Sequence, residues 1–242
     1  MKTAFVLISH GAKYHQYIAP LLQSMKDNLQ FPYDVFLWTD LPIRPSGVMF
    51  HHFCPYAGFP AATLQRYHMF LQAEADLCRY DQIFYSDIDM RFVAPVRIED
   101  IASEGITATL HPGFVVDRSH IKEWTGNYLP CRAGTPDRNP RCTAYIPHGT
   151  RNQYFCGGFN GGNAKAFLDM SRMIRANVDI DARNGIKALW NDESHLNNYL
   201  WKNPPSRILS PSFCYPEDYH GQWAWRPDAY RAVLMALDKS KR

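Results

Sequence analysis

Short runs of apolar, β-branched and aromatic residues alternate with segments of helical periodicity through the first third of the chain, which limits the folds open to it. Apolar residues recur at helical spacing over 17–29 and 61–77. Because strands that alternate with helices pair in parallel, the pattern predicts an α/β domain with a mostly parallel sheet. Ligands of such sheets bind beyond the carboxyl ends of the strands. The predicted strands are residues 3–9, 34–39, 48–53 and 82–86.

The rest of the chain continues with one long interruption. Residues 117–151 are rich in Gly, Pro, Arg and Asn and show little periodicity, which predicts a long surface loop. Helical spacing predicts helices over 164–176, 192–201 and 228–237. No linker divides the 242 residues, so we expect a single domain.

Composition and charge exclude several classes of protein. With 46% hydrophobic residues and a net charge of +3, the chain is globular and too evenly charged to predict a nucleic-acid partner. No apolar run approaches the roughly 20 residues that cross a bilayer, and the stretch 4–8 is too short for a signal peptide. We therefore expect a soluble, cytoplasmic protein without a membrane segment. The six cysteines include no CxxC pair and are expected to be reduced thiols, with Cys131 and Cys142 as the only plausible local disulfide.

Two carboxylates follow the predicted strand 82–86. Residues i and i+2 of extended backbone project to the same side, so Asp87 and Asp89 would repel each other unless a cation lies between them. Mg²⁺ and Mn²⁺ bind one or two carboxylates together with substrate phosphates. The same acids are also typical of solvated turn residues, and so short a motif leaves both interpretations open.

Two further segments carry polar or glycine-rich patterns. GGFNGG, residues 157–162, matches neither the dinucleotide-binding nor the phosphate-loop pattern, and it predicts either closely approached backbone or a tight turn before the next helix. Asp192 and Glu193 stand at a predicted helix start, where the helix dipole favours acids, although two acids exceed what capping needs. His195 on that helix is interpreted as structural, with metal ligation as the alternative.

The other histidines and the basic terminus carry weaker signals. His111 lies in a His-Pro-Gly turn, which alone indicates little. His51 and His52 alternate faces on a predicted strand, where we expect structural roles. The basic residues from Lys239 onward are typical of a frayed, solvated terminus.

The order of these segments is more specific than any one of them. Read along the chain, DIDM, TLHPGF, AYIP, GGFNGG, NGIKALWNDESHLNNYL and ILSP resemble glycosyltransferase family 6, which contains the histo-blood-group A and B transferases and the α-1,3-galactosyltransferases. The resemblance covers residues 14–211 and implies a GT-A type fold. That fold is a single α/β domain over 1–242 with a central mixed, mostly parallel sheet flanked by helices. Its Rossmann-like nucleotide-binding half would be about 1–90, and its acceptor and catalytic half about 91–242.

The resemblance also implies an activity and its partners. The enzyme would be a hexosyltransferase that moves GalNAc or galactose from a UDP-sugar to O3 of a terminal galactoside and retains the α configuration. The acceptor would be a galactoside with or without fucose at O2. The cofactor would be Mn²⁺, with Mg²⁺ as the alternative, because the chain keeps both aspartates of the family's DxD motif.

The family's motifs assign roles to individual residues. Asp87 and Asp89 would hold the metal, and Glu193 would be the catalytic carboxylate opposite the donor's anomeric carbon. His111 and Trp190 would bind the acceptor. The donor-binding residues implied are Tyr14, Arg66, Asp87, Cys156, Gly157, Gly158 and Asp192. The small residues Cys156 and Gly158 leave space for an N-acetyl group, so UDP-GalNAc is the expected donor and UDP-Gal the alternative.

Departures from the family leave some questions open. The chain shows no membrane anchor or stem, which suggests a soluble bacterial-type or viral member. The stretch 114–145 is longer than in the mammalian enzymes, so the acceptor stays open. Two rival functions are a metal-dependent phosphotransferase or hydrolase and a carbohydrate-binding protein without turnover, and the intact residues Asp87, Asp89 and Glu193 argue against the second.

Overall fold

The computed structural model describes residues 1–42, 44–115, 134–149, 153–217 and 230–239. Within these ranges lie ten strands, eight α-helices and two 3-10 turns, Pro112–Phe114 and Pro211–Cys214. The strands are β1 Thr3–Ser9, β2 Asp34–Thr39, β3 Phe50–Phe53, β4 Gln82–Asp87, β5 Met90–Phe92, β6 Ile106–Leu110, β7 Phe155–Asn163, β8 Arg207–Leu209, β9 Tyr215–Pro216 and β10 Leu234–Ala236. The helices are α1 Ala12–His15, α2 Ile18–Asn28, α3 Ala61–Leu64, α4 Arg66–Gln72, α5 Glu74–Leu77, α6 Ile98–Ile101, α7 Ala164–Arg183 and α8 Asn191–Lys202.

A seven-stranded mixed sheet forms the centre, with the strand order β3-β2-β1-β4-β7-β6-β8. Every pairing in it is parallel except those of β7, which runs antiparallel to both β4 and β6. A smaller sheet has the order β5-β10-β9. These observations confirm the predicted α/β fold with a mixed, mostly parallel sheet.

Both faces of the central sheet are covered, which explains the apolar runs in the sequence. Alternate residues of a strand point to opposite faces. In β1, Ala4 and Val6 pack with the face that α4, α7 and α8 cover, whereas Phe5 and Leu7 pack with α2 and the small sheet. All four are fully buried. A strand buried on both faces reads as a continuous apolar run.

The glycine-rich segment 157–162 is a strand and not a turn. A Cβ atom on Gly161 would lie 2.3 Å from the carbonyl oxygen of Ile83 on β4. One on Gly162, whose φ is +119°, would lie 2.1 Å from the carbonyl oxygen of Gly105. The glycines therefore allow close approach between strands, which is one of the two interpretations that the sequence left open.

Two helical segments differ from the prediction in their bounds. Residues 61–77 form three short helices, α3 to α5, which are interrupted at Gln65 and Ala73. The helix predicted over 164–176 continues to Arg183 as α7, and Asn163 caps its start through a side-chain oxygen that accepts hydrogen bonds from Lys165 and Ala166.

The predicted helix over 228–237 is wrong in its described part. Residues 234–236 form β10, which pairs antiparallel with β5. The run AVLMAL has no polar face, so helical spacing could not be distinguished from a buried strand. The ladder offered by β5 supplies the backbone partners that decide the conformation.

The predicted surface loop over 117–151 is described only from 134 to 149. This part contains no helix or strand, as predicted, but it is not simply a surface segment: Asp137, Cys142, Ala144 and Ile146 are buried. The carboxylate of Asp137 accepts a backbone hydrogen bond from Leu189, just before α8. Irregular backbone with scattered apolar side chains left no periodic signal for this packing.

Candidate active site

Three strands bring their ends together at one edge of the central sheet. β4 ends at Asp87, His111 follows β6, and β7 begins near Cys156. Because β7 runs opposite to its neighbours, its start meets their carboxyl ends. Ser86 pairs with Phe159, and a Cβ atom on Gly158 would lie 3.2 Å from the Oδ2 atom of Asp87.

Arg66, at the start of α4, connects the carboxylates of this edge. Its Nη1 atom lies 2.8 Å from Asp192 and donates to the carbonyl of Gly157 at 3.2 Å, while its Nη2 atom donates to Asp87 at 3.1 Å. The guanidinium carbon lies 4.1 Å from the ring centroid of Tyr85. Burial opposes its charge, but Asp192, Tyr85 and Asp87 raise the pKa of Arg66 above its ordinary value, so it stays a cation.

Glu193 lies beside this arginine at the start of α8. Its Oε1 atom accepts a hydrogen bond from the Tyr154 hydroxyl at 2.9 Å, and its Oε2 atom accepts one from the backbone N–H of Gly157 at 2.8 Å. Burial raises the pKa of Glu193 to about 7, and the two hydrogen bonds oppose that rise. One turn later, Asn197 pairs with both backbone groups of Phe155, which fixes α8 against the start of β7.

Asp89 is paired with the last part of the described chain. The Nζ atom of Lys239 lies 2.6 Å from its Oδ2 atom and 5.4 Å from the ring centroid of Tyr14. Burial and the nearby Asp87 raise the pKa of Asp89, and Lys239 opposes that shift. Lys239 therefore belongs to the site, and its interpretation as part of a frayed, solvated terminus is wrong.

The two aspartates suit a hard divalent cation. Both supply carboxylate oxygens to the same cavity, and their mutual repulsion favours a cation there. Among the described residues, no group of three or more His, Cys, Asp or Glu side chains could hold a metal alone. Two carboxylates suffice for Mn²⁺ or Mg²⁺ when substrate phosphates complete the shell, so the donor set fits.

Two adjoining cavities meet at Asp87 and Asp89. One, of about 330 Å³, is lined by both aromatic and charged side chains. The other, of about 380 Å³, reaches the starts of β7 and α8. The first is lined in part by Tyr14, Tyr56, Phe59, Arg66 and Lys239. The second is lined in part by His111, Cys156, Gly158, Glu193 and Cys214.

The structure brings together all but one of the residues that the family resemblance selected. Trp190 precedes α8 with 37% of its surface exposed, and it is not among the described residues that line the two cavities. The ring of His111 lies 4.8 Å from that of Phe114, and its Nδ1 atom accepts a hydrogen bond from the backbone of Gly113.

Three residues at this edge were missed by the sequence analysis. Tyr154 bonds Glu193, Lys239 bonds Asp89, and Cys214 lies 3.6 Å from where a Cβ atom on Gly158 would be. No local pattern singled out Tyr154 or Cys214. The basic cluster at the terminus was a signal for Lys239, but sequence could not show that β10 pairs beside Asp89.

Three other histidines, His51, His52 and His195, are not among the described residues that line the two cavities. His195 is buried with its Nε2 atom 3.7 Å from Asp181 on α7, and burial lowers its pKa, which favours the structural interpretation. His51 bonds the carbonyl of Leu41, and His52 stacks on Trp38. Cys142 is free and Cys131 lies outside the described residues.

Comparison with known proteins identifies the family of this chain. The family model described as Glycosyltransferase family 6 matches residues 65–240, most of the chain and all of its central acidic motifs. The chain belongs to glycosyltransferase family 6. The resemblance drawn from the sequence is thereby confirmed.

Several curated proteins are similar to this family 6 chain. Histo-blood group ABO system transferase 1 of Rattus norvegicus is 33% identical over 141 residues, 58% of this chain and 36% of that protein. Globoside alpha-1,3-N-acetylgalactosaminyltransferase 1 of Gallus gallus is 27% identical over 228 residues, 89% of this chain and 61% of that protein. Alpha-1,3-galactosyltransferase 2 of Homo sapiens is 28% identical over 158 residues, 62% of this chain and 42% of that protein. The matches thus span only 36% to 61% of these relatives.

Among the residues that the structure describes, no helix has the length and apolar character needed to cross a bilayer.

Proposed function

We propose that this family 6 chain is a retaining hexosyltransferase that moves GalNAc from UDP-GalNAc to O3 of a terminal galactoside in α-1,3 linkage. UDP-Gal is the alternative donor. The observation that carries the proposal is Arg66, which bonds Asp87 and Asp192 at once while Glu193 lies beside it. Relatives described as α-1,3-N-acetylgalactosaminyl- and α-1,3-galactosyltransferases support the reaction class.

The nucleotide is assigned to the cavity of about 330 Å³. Tyr14 lines it, with its ring centroid 5.4 Å from the Nζ atom of Lys239, and would pack against the uridine. Asp87 and Asp89 would hold Mn²⁺ or Mg²⁺, which supplies positive charge to the departing diphosphate. Arg66 and Lys239 add positive charge at the same edge, so the UDP leaving group would need no general acid.

Glu193 is assigned to the face of the donor sugar opposite the leaving group. Two routes give retention. In one, a Glu193 oxygen forms a bond to the anomeric carbon as the bond to UDP breaks, and the acceptor O3 then displaces the carboxylate. In the other, Glu193 stabilises a positively charged anomeric carbon while O3 attacks from the face that UDP leaves. In both, the proton of the O3 hydroxyl passes to a diphosphate oxygen of the released UDP. Either route needs the ionised carboxylate, which Tyr154 and Gly157 favour by donating hydrogen bonds.

Space at the start of β7 supports GalNAc as the donor. A methyl group at position 158 would press on Asp87 at 3.2 Å and contact Cys214 at 3.6 Å, so glycine leaves room that alanine would fill. Cys156 is a small neighbour on the same strand. Pocket size alone discriminates by about 1–3 kcal/mol, so some use of UDP-Gal is expected.

The two halves of the chain would divide the work. Residues 1–90 supply Tyr14, Arg66, Asp87 and Asp89, and we assign them to nucleotide binding. Residues 91–242 supply Glu193 and the side chains proposed for the acceptor, His111 and Trp190. A galactoside acceptor, with or without fucose, is proposed from the family resemblance, and His111, which would bind it, lines the second cavity.

UDP release from a panel of UDP-sugars tests the proposal. Each donor is incubated with Mn²⁺ or EDTA, and with or without lactose or 2′-fucosyllactose. We expect release from UDP-GalNAc that requires Mn²⁺ and rises with a galactoside. Asp89→Ala should abolish the metal-dependent turnover without unfolding the chain.

Each other outcome is informative. Equal release in EDTA would remove the metal role of Asp87 and Asp89 and leave Arg66 and Lys239 to stabilise the leaving group. If no donor gave UDP release and calorimetry detected no donor binding, the proposed reaction would be overturned.

A further inference from the structure

Two cysteines meet at the wall of the cavity of about 380 Å³. Cys156 is the second residue of β7, and Cys214 ends the 3-10 turn before β9. The Sγ atom of Cys214 lies 3.6 Å from where a Cβ atom on Gly158 would be, two residues along β7 from Cys156.

The two thiols have no assigned part in the bond-making steps of the proposed reaction. Both cysteines are free, and both line the cavity of about 380 Å³. The neighbouring Cys156 side chain and burial raise the pKa of the Cys214 thiol well above its ordinary value. Because the thiolate is the reactive form, this shift makes the Cys214 thiol slow to react.

We propose that Cys156 and Cys214 are a modification site that forms a reversible disulfide across the wall of the donor-sugar cavity. The bond would join β7 to the turn 211–214 beside Gly158, where the N-acetyl group is assigned. Its effect on the donor rests on the proposed function, whereas its formation does not.

The step needs a two-electron oxidant of the disulfide or azo class. Cys214 is the more exposed of the two, whereas Cys156 is 3% exposed. With a small disulfide, the Cys214 sulfur bonds one sulfur of the oxidant and releases the other as a thiol. The Cys156 sulfur then bonds Cys214 and releases the second thiol. The two protein thiols lose two electrons and two protons, which the two released thiols carry away.

Peptide mapping tests formation of the bond. The folded chain is oxidised with diamide, blocked with N-ethylmaleimide and digested with trypsin, which separates all six cysteines because Lys or Arg lies between each successive pair. We expect the peptide with Cys156 linked to the peptide with Cys214, and loss of the link in dithiothreitol. Two separately blocked peptides, or a link from either to another cysteine, would overturn the proposal.

Matched variants control for indirect effects. Cys214→Ser should lose the link, and Cys156→Ser is the second variant should the first fail to fold by circular dichroism. Cys78→Ser, an exposed cysteine after α5, should keep it. A link that forms equally in denaturant would mean that the folded contact is not its cause, which also overturns the proposal.

Calorimetry measures the consequence. We expect the oxidised chain to lose the part of its UDP-GalNAc affinity that exceeds its affinity for UDP, and to recover it in dithiothreitol. Unchanged UDP-GalNAc affinity would overturn the location across the donor wall. A link that forms in a chain that binds no UDP-sugar in either state would instead count against the proposed function alone.

Discussion

Two cations face carboxylates at this edge of the sheet, and they are held in different ways. The buried cluster consists of Arg66, Asp87, Asp192 and Glu193. The Arg66 side chain is 9% exposed, and its guanidinium contacts Asp87, Asp192 and the carbonyl of Gly157. The carboxy-terminal arm, residues 230–239, carries Lys239, whose side chain is 44% exposed and bonds Asp89.

The difference in exposure between Arg66 and Lys239 divides the site into a fixed part, the buried cluster, and an exchangeable part, the carboxy-terminal arm. Removing one member of a buried ion pair leaves an uncompensated charge and costs about 3–5 kcal/mol. Lys239 is half exposed although Asp89 is buried, so water can solvate the ammonium when the pair opens, and exchange of partners costs less than in the buried cluster. We therefore expect the buried cluster to hold its geometry through a reaction cycle, and Lys239 to leave Asp89 when another cation or a phosphate competes.

Glu193→Gln gives the largest expected effect, because it removes the charge that the buried cluster positions. We expect kcat to fall by roughly a hundredfold or more with little change in donor affinity. Steady-state kinetics and donor calorimetry measure both, and Glu104→Gln, at an exposed glutamate, is the control. An effect on KM alone would make Glu193 a binding residue.

Arg66→Met tests whether the buried cluster contributes to the stability of the fold. Asp87 and Asp192 lose their shared cation, so the free energy of unfolding should fall by about 3–5 kcal/mol. Arg172→Met is the matched control, since that arginine pairs with Glu74 and Asp169 at the surface and should cost about 0–1 kcal/mol. If urea unfolding gave equal losses of unfolding free energy for Arg66→Met and Arg172→Met, the buried and exposed ion pairs would not differ in their contribution to stability.

Gly158→Ala tests the space assigned to the N-acetyl group, which lies beside the buried cluster. The added methyl group would face Asp87 and Cys214. We expect the preference for UDP-GalNAc over UDP-Gal to fall by about 10–100-fold, as measured by kcat/KM. Gly157→Ala faces Glu193 and Arg66 instead and should slow both donors alike. An unchanged ratio in Gly158→Ala would locate the N-acetyl group elsewhere.

Tyr154→Phe tests how the cluster sets the ionisation of Glu193. Since burial raises this pKa to about 7 and the ionised form is required, kcat/KM should rise with pH through about 7. Removing the tyrosine donor should move that rise about one pH unit higher. Tyr80→Phe, which removes a hydrogen bond to Asp34, is the control. The profile of Glu193→Gln should lack this rise.

The same pKa fixes the sign of a stability effect. A carboxyl group whose pKa is raised on folding binds its proton more tightly in the folded state, so its contribution to stability is lost as pH rises from about 4.5 to about 7.

Lys239→Met gives the smallest expected effect and tests the exchangeable part. Without the competing ammonium, the affinity of the donor-free chain for Mn²⁺ should rise a few-fold, while the free energy of unfolding should fall by less than in Arg66→Met, because Lys239 is half exposed. Titration of free Mn²⁺ by electron paramagnetic resonance measures the first. Lys165→Met, which removes an exposed pair with Asp169, should change neither. Unchanged Mn²⁺ affinity in Lys239→Met would show that this lysine does not compete with the metal.

Sequence predicted the scaffold better than the site's outer parts, for physical reasons. β1 and β2 have the predicted bounds because local periodicity reports burial on a sheet. Asp87 and Glu193 were found because acids at a strand end and a helix start are local signals. Tyr154, Cys214 and Lys239 reach the site through pairings between distant segments, which leave no local pattern.

Glycine gave the clearest case of an ambiguity that only packing resolves. From the sequence alone, Gly161 and Gly162 fit a tight turn as well as a closely approached strand, because GGFNGG does not show which segments pack beside it. The carbonyl groups of Ile83 and Gly105 occupy the space where side chains would be, and they belong to segments 50 or more residues away.

The different surroundings of two adjacent glycines in β7 have a consequence for how new specificities could arise. Adjacent residues of a strand face opposite ways, so Gly157 adjoins the carboxylate of Glu193 while Gly158 adjoins Asp87 and Cys214. A single peptide bond separates the position that would tune the rate from the position that would tune the choice of sugar. Natural drift or laboratory selection could therefore alter one property while the other stays nearly constant, without rebuilding any loop.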